Sequence, residues 1–218
     1  MLLLAMAAEW SRAIEERTVG GGAVFLLPFA DRSEEELLAG AGLSAAERER
    51  YAQFPVGAVQ RRKEWLAARV LVREKLGGRI GYDSFGRPVP EGGPVAENRH
   101  ISIAHTRGWA ALMATYGRRC GVDIERTTRD AARTIVRAAS AEELRLATVL
   151  FPANPALLVW CAKEAAYKAV GQAGMDFRTQ IILTGRTGGG RLSASVSGEG
   201  LTLEFFETDG LLVVVGPV

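Results

Sequence analysis

Gly121-Val-Asp-Ile-Glu125 alternates apolar and acidic residues. Period-two alternation marks a strand with one face toward a core, so Val122 and Ile124 turn inward while Asp123 and Glu125 share the other face. Just before it, Gly117-Arg-Arg119 breaks the pattern near the middle of the 218-residue chain. Upstream, Arg99–Ala104 and Trp109–Tyr116 read as a hairpin about the turn Thr106-Arg-Gly108. Gly81 to Glu97, rich in Gly and Pro, reads as loop. The apolar spacing of Trp65, Ala68, Val72 and Leu76 predicts a long helix from about Ala58, stopped by Gly77-Gly78. Further back, Ser33 with Glu36 and Ser44 with Glu47 read as helix-starting capping boxes, and Ala23–Leu27 reads as a strand. Downstream, helices are expected near 130–139 and 141–150. Another runs from Pro155 to Val170 between the N-cap Asn154 and the stop Gly171. Four strands follow, separated by Gly-containing turns. Each half therefore mixes helix and strand, an α+β pattern with the division placed at 1–116 and 117–218.

The charge balance, 27 Lys plus Arg against 25 Asp plus Glu, argues against a protein held to nucleic acid by overall charge. With 48% hydrophobic and 24% charged residues the chain has the composition of a globular protein with ample core. Cys120 and Cys161 stand far apart and form neither a disulfide framework nor a metal-binding pair, which suits a reducing, cytoplasmic compartment. No apolar run approaches the roughly 20 residues that span a bilayer. Met1–Ala8 is apolar but has no basic flank and meets Glu9 too soon for a signal peptide.

Three features carry chemistry. Asp123 and Glu125, side by side on a strand, either form a solvated edge or hold a hard cation such as Mg²⁺, which takes one or two carboxylates plus phosphate oxygens. In Trp160-Cys-Ala-Lys-Glu-Ala-Ala-Tyr-Lys168, Glu164 and Lys168 fall one turn apart on one helix face. They are either an ordinary i,i+4 pair or a proton acceptor beside a phosphate clamp. Residues 61–79 hold seven basic side chains against Glu64 and Glu74. On that helix Arg62, Arg69 and Arg73 share nearly one face, as an anion site or as a solvated stripe. His105, one of two histidines, ends the first strand of the hairpin.

The order of these features, a basic helix, Gly86-Arg-Pro88, a strand ending in His105, Gly121-Val-Asp-Ile-Glu125 and Trp160-x-x-Lys-Glu-Ala-x-x-Lys168, resembles the 4′-phosphopantetheinyl transferase superfamily. The likeness is to its broad-specificity, surfactin-synthetase-activating type and runs from about Leu43 to the C-terminus. It implies a pseudo-dimer of two similar halves, each a small antiparallel sheet packed with a long helix. It further implies transfer of the phosphopantetheine arm of coenzyme A to a serine of an acyl, peptidyl or aryl carrier protein, with release of 3′,5′-ADP, by a monomer that needs neither nucleic acid nor membrane. By that resemblance Asp123, Glu125 and Glu143 would hold Mg²⁺ or Mn²⁺, with Glu142 the substitute should Glu143 serve only as the helix cap of Ser140. Glu164 would be the general base, and Lys168 would contact the pyrophosphate. His105, Arg87, Lys63 and Arg69 would meet the phosphates of coenzyme A. Ala104-His105-Thr106 departs from the Ser-His-Ser of many members, so a hydroxyl contact to phosphate falls to Thr106 or is absent. Exposed Arg126, Arg129 and Arg133 would suit an acidic carrier protein. Two other readings compete: a Mg²⁺-dependent phosphohydrolase built on Asp123 and Glu125, and a non-catalytic module that binds a nucleotide on the basic helix.

Overall fold

Strands before and after the mid-chain break go to different sheets. The structure, a computed structural model, describes residues 9–93 and 98–218. Met1–Ala8, read as no signal peptide, and residues 94–97 of the expected loop lie outside them. In chain order the elements that build the fold are β1 (Glu15–Val19), β2 (Gly22–Pro28), α1 (Glu34–Ala41), α2 (Ala45–Ala52), α3 (Val59–Leu76), β3 (Arg79–Tyr82), β4 (Pro88–Glu91), β5 (Arg99–Thr106) and β6 (Trp109–Tyr116). After the break come β7 (Gly121–Arg126), α4 (Ala132–Ile135), α5 (Ala141–Leu150), α6 (Pro155–Val170), β8 (Ile181–Thr187), β9 (Arg191–Val196), β10 (Glu199–Thr208) and β11 (Leu211–Gly216). One antiparallel sheet has the order β1-β2-β6-β5, the other β7-β11-β10-β9-β8. The fold is α+β.

Alternation explains the layering. Val24, Leu26, Ala111 and Met113 on the first sheet meet Val122, Ile124, Val213 and Val215 on the second in one apolar cluster between the sheets. The intervening residues point outward, where Phe25, Leu27 and Leu112 pack against Leu66 and Val70 of α3. On the far side Leu212 and Val214 pack with Leu158, Ala162 and Ala165 of α6. The order is helix, sheet, sheet, helix, and two sheet-plus-helix units are compatible with the expected internal dimer. Removing each large apolar side chain from water contributes about 1.5–3 kcal/mol, so these three clusters dominate the folding energy. Among the described residues no single helix is long and apolar enough to cross a membrane.

Both expected capping boxes form, with Ser33 and Ser44 each exchanging hydrogen bonds with the Glu three residues on. Two expectations fail. Arg79–Tyr82 and Pro88–Glu91 pair as a two-stranded hairpin where loop was expected. Pro88 and Pro90 hide it, because proline disfavours central strands yet is tolerated at an edge. The Arg stripe of α3 is engaged along its length, although Arg73 stays exposed. Arg62 grips both carboxylate oxygens of Glu34, at 2.7 and 2.9 Å. Arg69 bonds Glu47 at 2.9 Å, and Arg73 donates to Gly40 O at 3.1 Å. The stripe docks α3 onto α1 and α2.

Candidate active site

Helix α6 carries two of the expected groups, and its ends are set as its sequence implies. Asn154 Oδ1 accepts from Leu157 N, Pro155 occupies the first turn, and Gly171 closes the helix in the left-handed region at φ 67°. The helix lies directly against β7 at Gly121. A Cβ built there would fall 1.9 Å from Ala165 O and 2.7 Å from Ala169 N, far inside contact distance, so only glycine allows this approach. The face of β7 that bears Asp123 and Glu125 is thereby covered by α6 instead of water, and Asp123 is only 8% exposed.

Lys168 Nζ spans the gap, donating to Asp123 Oδ1 at 2.8 Å and to Val122 O at 2.9 Å. Asp123 Oδ2 is buried with no hydrogen-bond partner among the described residues. Glu125 Oε1 pairs with Arg129, and Oε2 accepts the Thr106 hydroxyl at 3.0 Å. One turn before Lys168, Glu164 is partly buried. Burial raises its pKa above the ordinary carboxylate range, the charge of Asp123 adds to the shift, and Lys168 and Arg129 oppose it. Cys161, beside Asp123, is fully buried, and burial pushes its thiol well above the usual range, which makes it a poor nucleophile.

Glu143 does not join this group. Its carboxylate is 2% exposed and fully engaged: Oε2 caps Ser140 N at 2.8 Å, while Oε1 accepts from Leu183 N at 2.9 Å and pairs with Lys163 Nζ at 2.6 Å. Lys163 spends its other donors on Phe177 O and Ile181 O. The expected third metal carboxylate is thus turned to Lys163 and two backbone amides, and it is not brought together with Asp123 and Glu125. Glu142 does not replace it: among the described residues no three His, Cys, Asp or Glu groups are placed to hold a metal. Asp123 and Glu125 remain as a pair, and the unpaired buried oxygen of Asp123 fits a hard cation that takes its other ligands from phosphate and water.

Two clefts flank β5, the edge strand that meets β7. Here Ser102 Oγ accepts from Val122 N at 3.1 Å. One cleft, of about 400 Å³, is lined by Arg87, Ser102, Arg119, Tyr167, Lys168 and Gly171. Arg87 closes it by bonding Asp83 at 2.7 Å and Gly171 O at 3.3 Å. The other, of about 750 Å³, is lined by Arg50, Phe54, Arg61, Trp65, Tyr82 and His105, and both clefts touch Pro88 and Ile103. His105 is half exposed there, its Nδ1 3.4 Å from Glu64.

These placements bear on the phosphate-binding expectations. Arg87, His105 and Lys168 line the clefts. Lys63 does not; its ammonium donates to Ala30 O at 3.0 Å. Arg69 reaches the wall of the larger cleft, but its guanidinium is 5% exposed, bonded to Glu47 and Trp65 O and stacked 3.2 Å from the Trp65 ring. It braces the wall, with Tyr82 as a further partner of its guanidinium. The Thr106 hydroxyl is committed to Glu125 and so serves a carboxylate instead of a phosphate.

Residues 119–208 match a 4′-phosphopantetheinyl transferase superfamily domain. No curated protein matches the chain. The match supports phosphopantetheinyl transfer in general as the chemistry of this chain, an activity whose partners in the family are coenzyme A and a carrier protein. The matched segment contains Asp123, Glu125, Glu164, Lys168 and the structural pair Glu143–Lys163. Arg61, part of the basic segment read as an anion site, lines the larger cleft together with Arg50, and Arg119 lines the smaller one; the sequence pattern gives no sign of the last two as site residues. Among the described residues Arg61, unlike Arg62 and Arg69, has no ion pair with an acid on α1 or α2, a difference that only the docking of those helices shows.

Proposed function

We propose that the chain transfers the 4′-phosphopantetheine arm of coenzyme A to a serine of an acyl, peptidyl or aryl carrier protein, releasing 3′,5′-ADP, as a broad-specificity enzyme of the surfactin-synthetase-activating type. The observation that carries this reading is Lys168 held 2.8 Å from Asp123, one helical turn from a partly buried Glu164 whose pKa is raised by burial, inside the segment that matches the transferase superfamily. Residues 1–116 supply the wall for the nucleotide end, and 117–218 supply the carboxylates and the base.

In this reading Asp123 and Glu125 hold Mg²⁺, with Mn²⁺ as its alternative, since both are oxygen-seeking cations. Such a cation, when bound, neutralises pyrophosphate oxygens. Glu164 accepts the proton of the carrier serine, for which an elevated pKa suits a base working near neutrality. The serine oxygen then bonds to the phosphorus that carries the pantetheine arm, and the phosphoanhydride bond to 3′,5′-ADP breaks. Lys168 and Arg87 stabilise the charge left on the departing phosphate. Arg50, Arg61 and His105 receive the remaining phosphates, and Phe54, Trp65 and Tyr82 offer ring faces to the base. The protein would act as a cytoplasmic monomer.

Incubation with coenzyme A, Mg²⁺ and an apo carrier protein, followed by mass spectrometry of the carrier, tests the proposal. The expected result is addition of one phosphopantetheine arm, abolished in Glu164→Ala and Asp123→Ala. No addition to several unrelated carriers would overturn it. Phosphate release without any carrier would favour a hydrolase, and ligand binding untouched by Glu164→Ala without turnover would favour a binding module.

A further inference from the structure

Arg129 was expected to stand on the surface, yet its guanidinium turns inward onto Glu125 Oε1. The segment that delivers it is well anchored. Arg129 N donates to Arg126 O at 2.9 Å, and Asn154 Nδ2 donates to the carbonyls of Thr127 and Arg129 at 3.1 and 2.8 Å. Asn154 is also the N-cap of α6, so the helix that carries Glu164 and Lys168 holds the Arg129 backbone as well. The guanidinium lies 5.6 Å from the Trp160 ring centroid, against a second surface that accepts a cation.

The two carboxylates of β7 therefore each have a resident cation, Lys168 on Asp123 and Arg129 on Glu125. They differ in what remains free. Among the described residues Asp123 Oδ2 has no hydrogen-bond partner, whereas Glu125 has Arg129 on one oxygen and Thr106 on the other. A divalent cation can join Asp123 without disturbing Lys168, but it meets a positive guanidinium at Glu125 Oε1, and like charges do not share one oxygen in a partly buried site.

We propose that Arg129 is a built-in competitor for the divalent cation, a positioning residue that holds Glu125 while the site is empty and must leave its carboxylate for the metal to bind both acids. The inference rests on reading Asp123 and Glu125 as cation ligands, but not on the transfer reaction. The released guanidinium stays in reach of Trp160 and can turn to an anionic ligand. The device gives each acid of β7 a cation in the empty site and holds back the metal until a phosphate-bearing substrate gives Arg129 another partner.

Titration of the metal-free protein with Mn²⁺ alone, followed by calorimetry or by the electron-spin signal of free Mn²⁺, provides the test without reference to activity. Arg129→Gln should tighten Mn²⁺ binding roughly two- to fivefold, the range spanned by a partly exposed ion pair. Arg129→Lys, which keeps the charge, should bind as the parent does, and Asp123→Asn should lose the binding. If Arg129→Gln binds Mn²⁺ no more tightly than the parent while Asp123→Asn still loses it, the competitor role is refuted and the ligand assignment survives. If Asp123→Asn binds undiminished, the ligand assignment itself fails.

Discussion

Replacing Glu143 by glutamine removes the negative member of an ion pair whose two side chains are 2% and 0% exposed. The change is nearly isosteric, so packing against α5 and β8 is retained and the loss is chiefly electrostatic. Lys163 keeps Phe177 O at 2.7 Å and Ile181 O at 2.6 Å, but its ammonium then has only the charge of Asp176, with which it makes no ion pair, to offset it in a place where burial already lowers its pKa. Breaking such a pair costs about 3–5 kcal/mol. The two surviving carbonyl bonds place Glu143→Gln near the lower end. For a domain of this size about 3 kcal/mol corresponds to a fall in Tm of roughly 6–12 °C, read by calorimetry or circular dichroism. The double change Glu143→Leu with Lys163→Met, which removes both charges, should recover most of the loss. Mn²⁺ binding below the melting transition should be unchanged in Glu143→Gln. A variant that melts within 2 °C of the parent yet binds no Mn²⁺ would refute this reasoning and restore Glu143 as a metal ligand.

Glu164→Gln should abolish transfer and raise Tm at neutral pH in the metal-free protein. The folded state raises the pKa of Glu164, so it binds this proton more tightly than the unfolded chain does. The associated stability is fully present below the unfolded value of about 4.3 and is lost as pH rises through the folded value. The Tm advantage of Glu164→Gln should thus shrink as pH falls through that window, and an advantage independent of pH would count against it. Gly121→Ala should cost about 1–3 kcal/mol or more by forcing α6 off β7, and should depress kcat by parting Lys168 from Asp123; melting and turnover assays read the two effects. Arg61→Ala should raise the KM for coenzyme A with kcat nearly kept, whereas Lys63→Ala should leave both constants within twofold; equal effects would reject the placement of the nucleotide end.

Local rules made part of the fold legible before any coordinates. The three Ser-x-x-Glu boxes, the β5–β6 hairpin and the ends of α6 depend on residues a few positions apart, and each forms as its sequence implies. β1 escaped notice because Glu15, Glu16, Arg17 and Thr18 are all exposed and only Val19 is buried, which leaves no alternation to read. In the site, Asp123, Glu125, Glu164 and Lys168 were legible because strand and helix periodicity places them on faces. What each basic group holds was not. Arg62 and Arg69 find acids 28 and 22 residues away, and Lys163 of α6 finds Glu143 on α5, so partner choice depends on how helices dock. Lys163 also stands in a run of small apolar residues, where burial of a lysine has no local sign.

Most layers of this protein are spaced by side chains, and a core substitution can thicken or thin them by a methyl group. Between β7 and α6 at Gly121 there is no such spacer: backbone rests on backbone. The separation between the acids on the strand and the base and ammonium on the helix is consequently a property of the polypeptide itself, with no residue choice left to vary. Diversifying the cleft walls at Arg50, Arg61 or Tyr82 would change which ligand fits while leaving the reacting groups in unchanged register. In engineering terms, specificity here is adjustable and the span between acid and base is not.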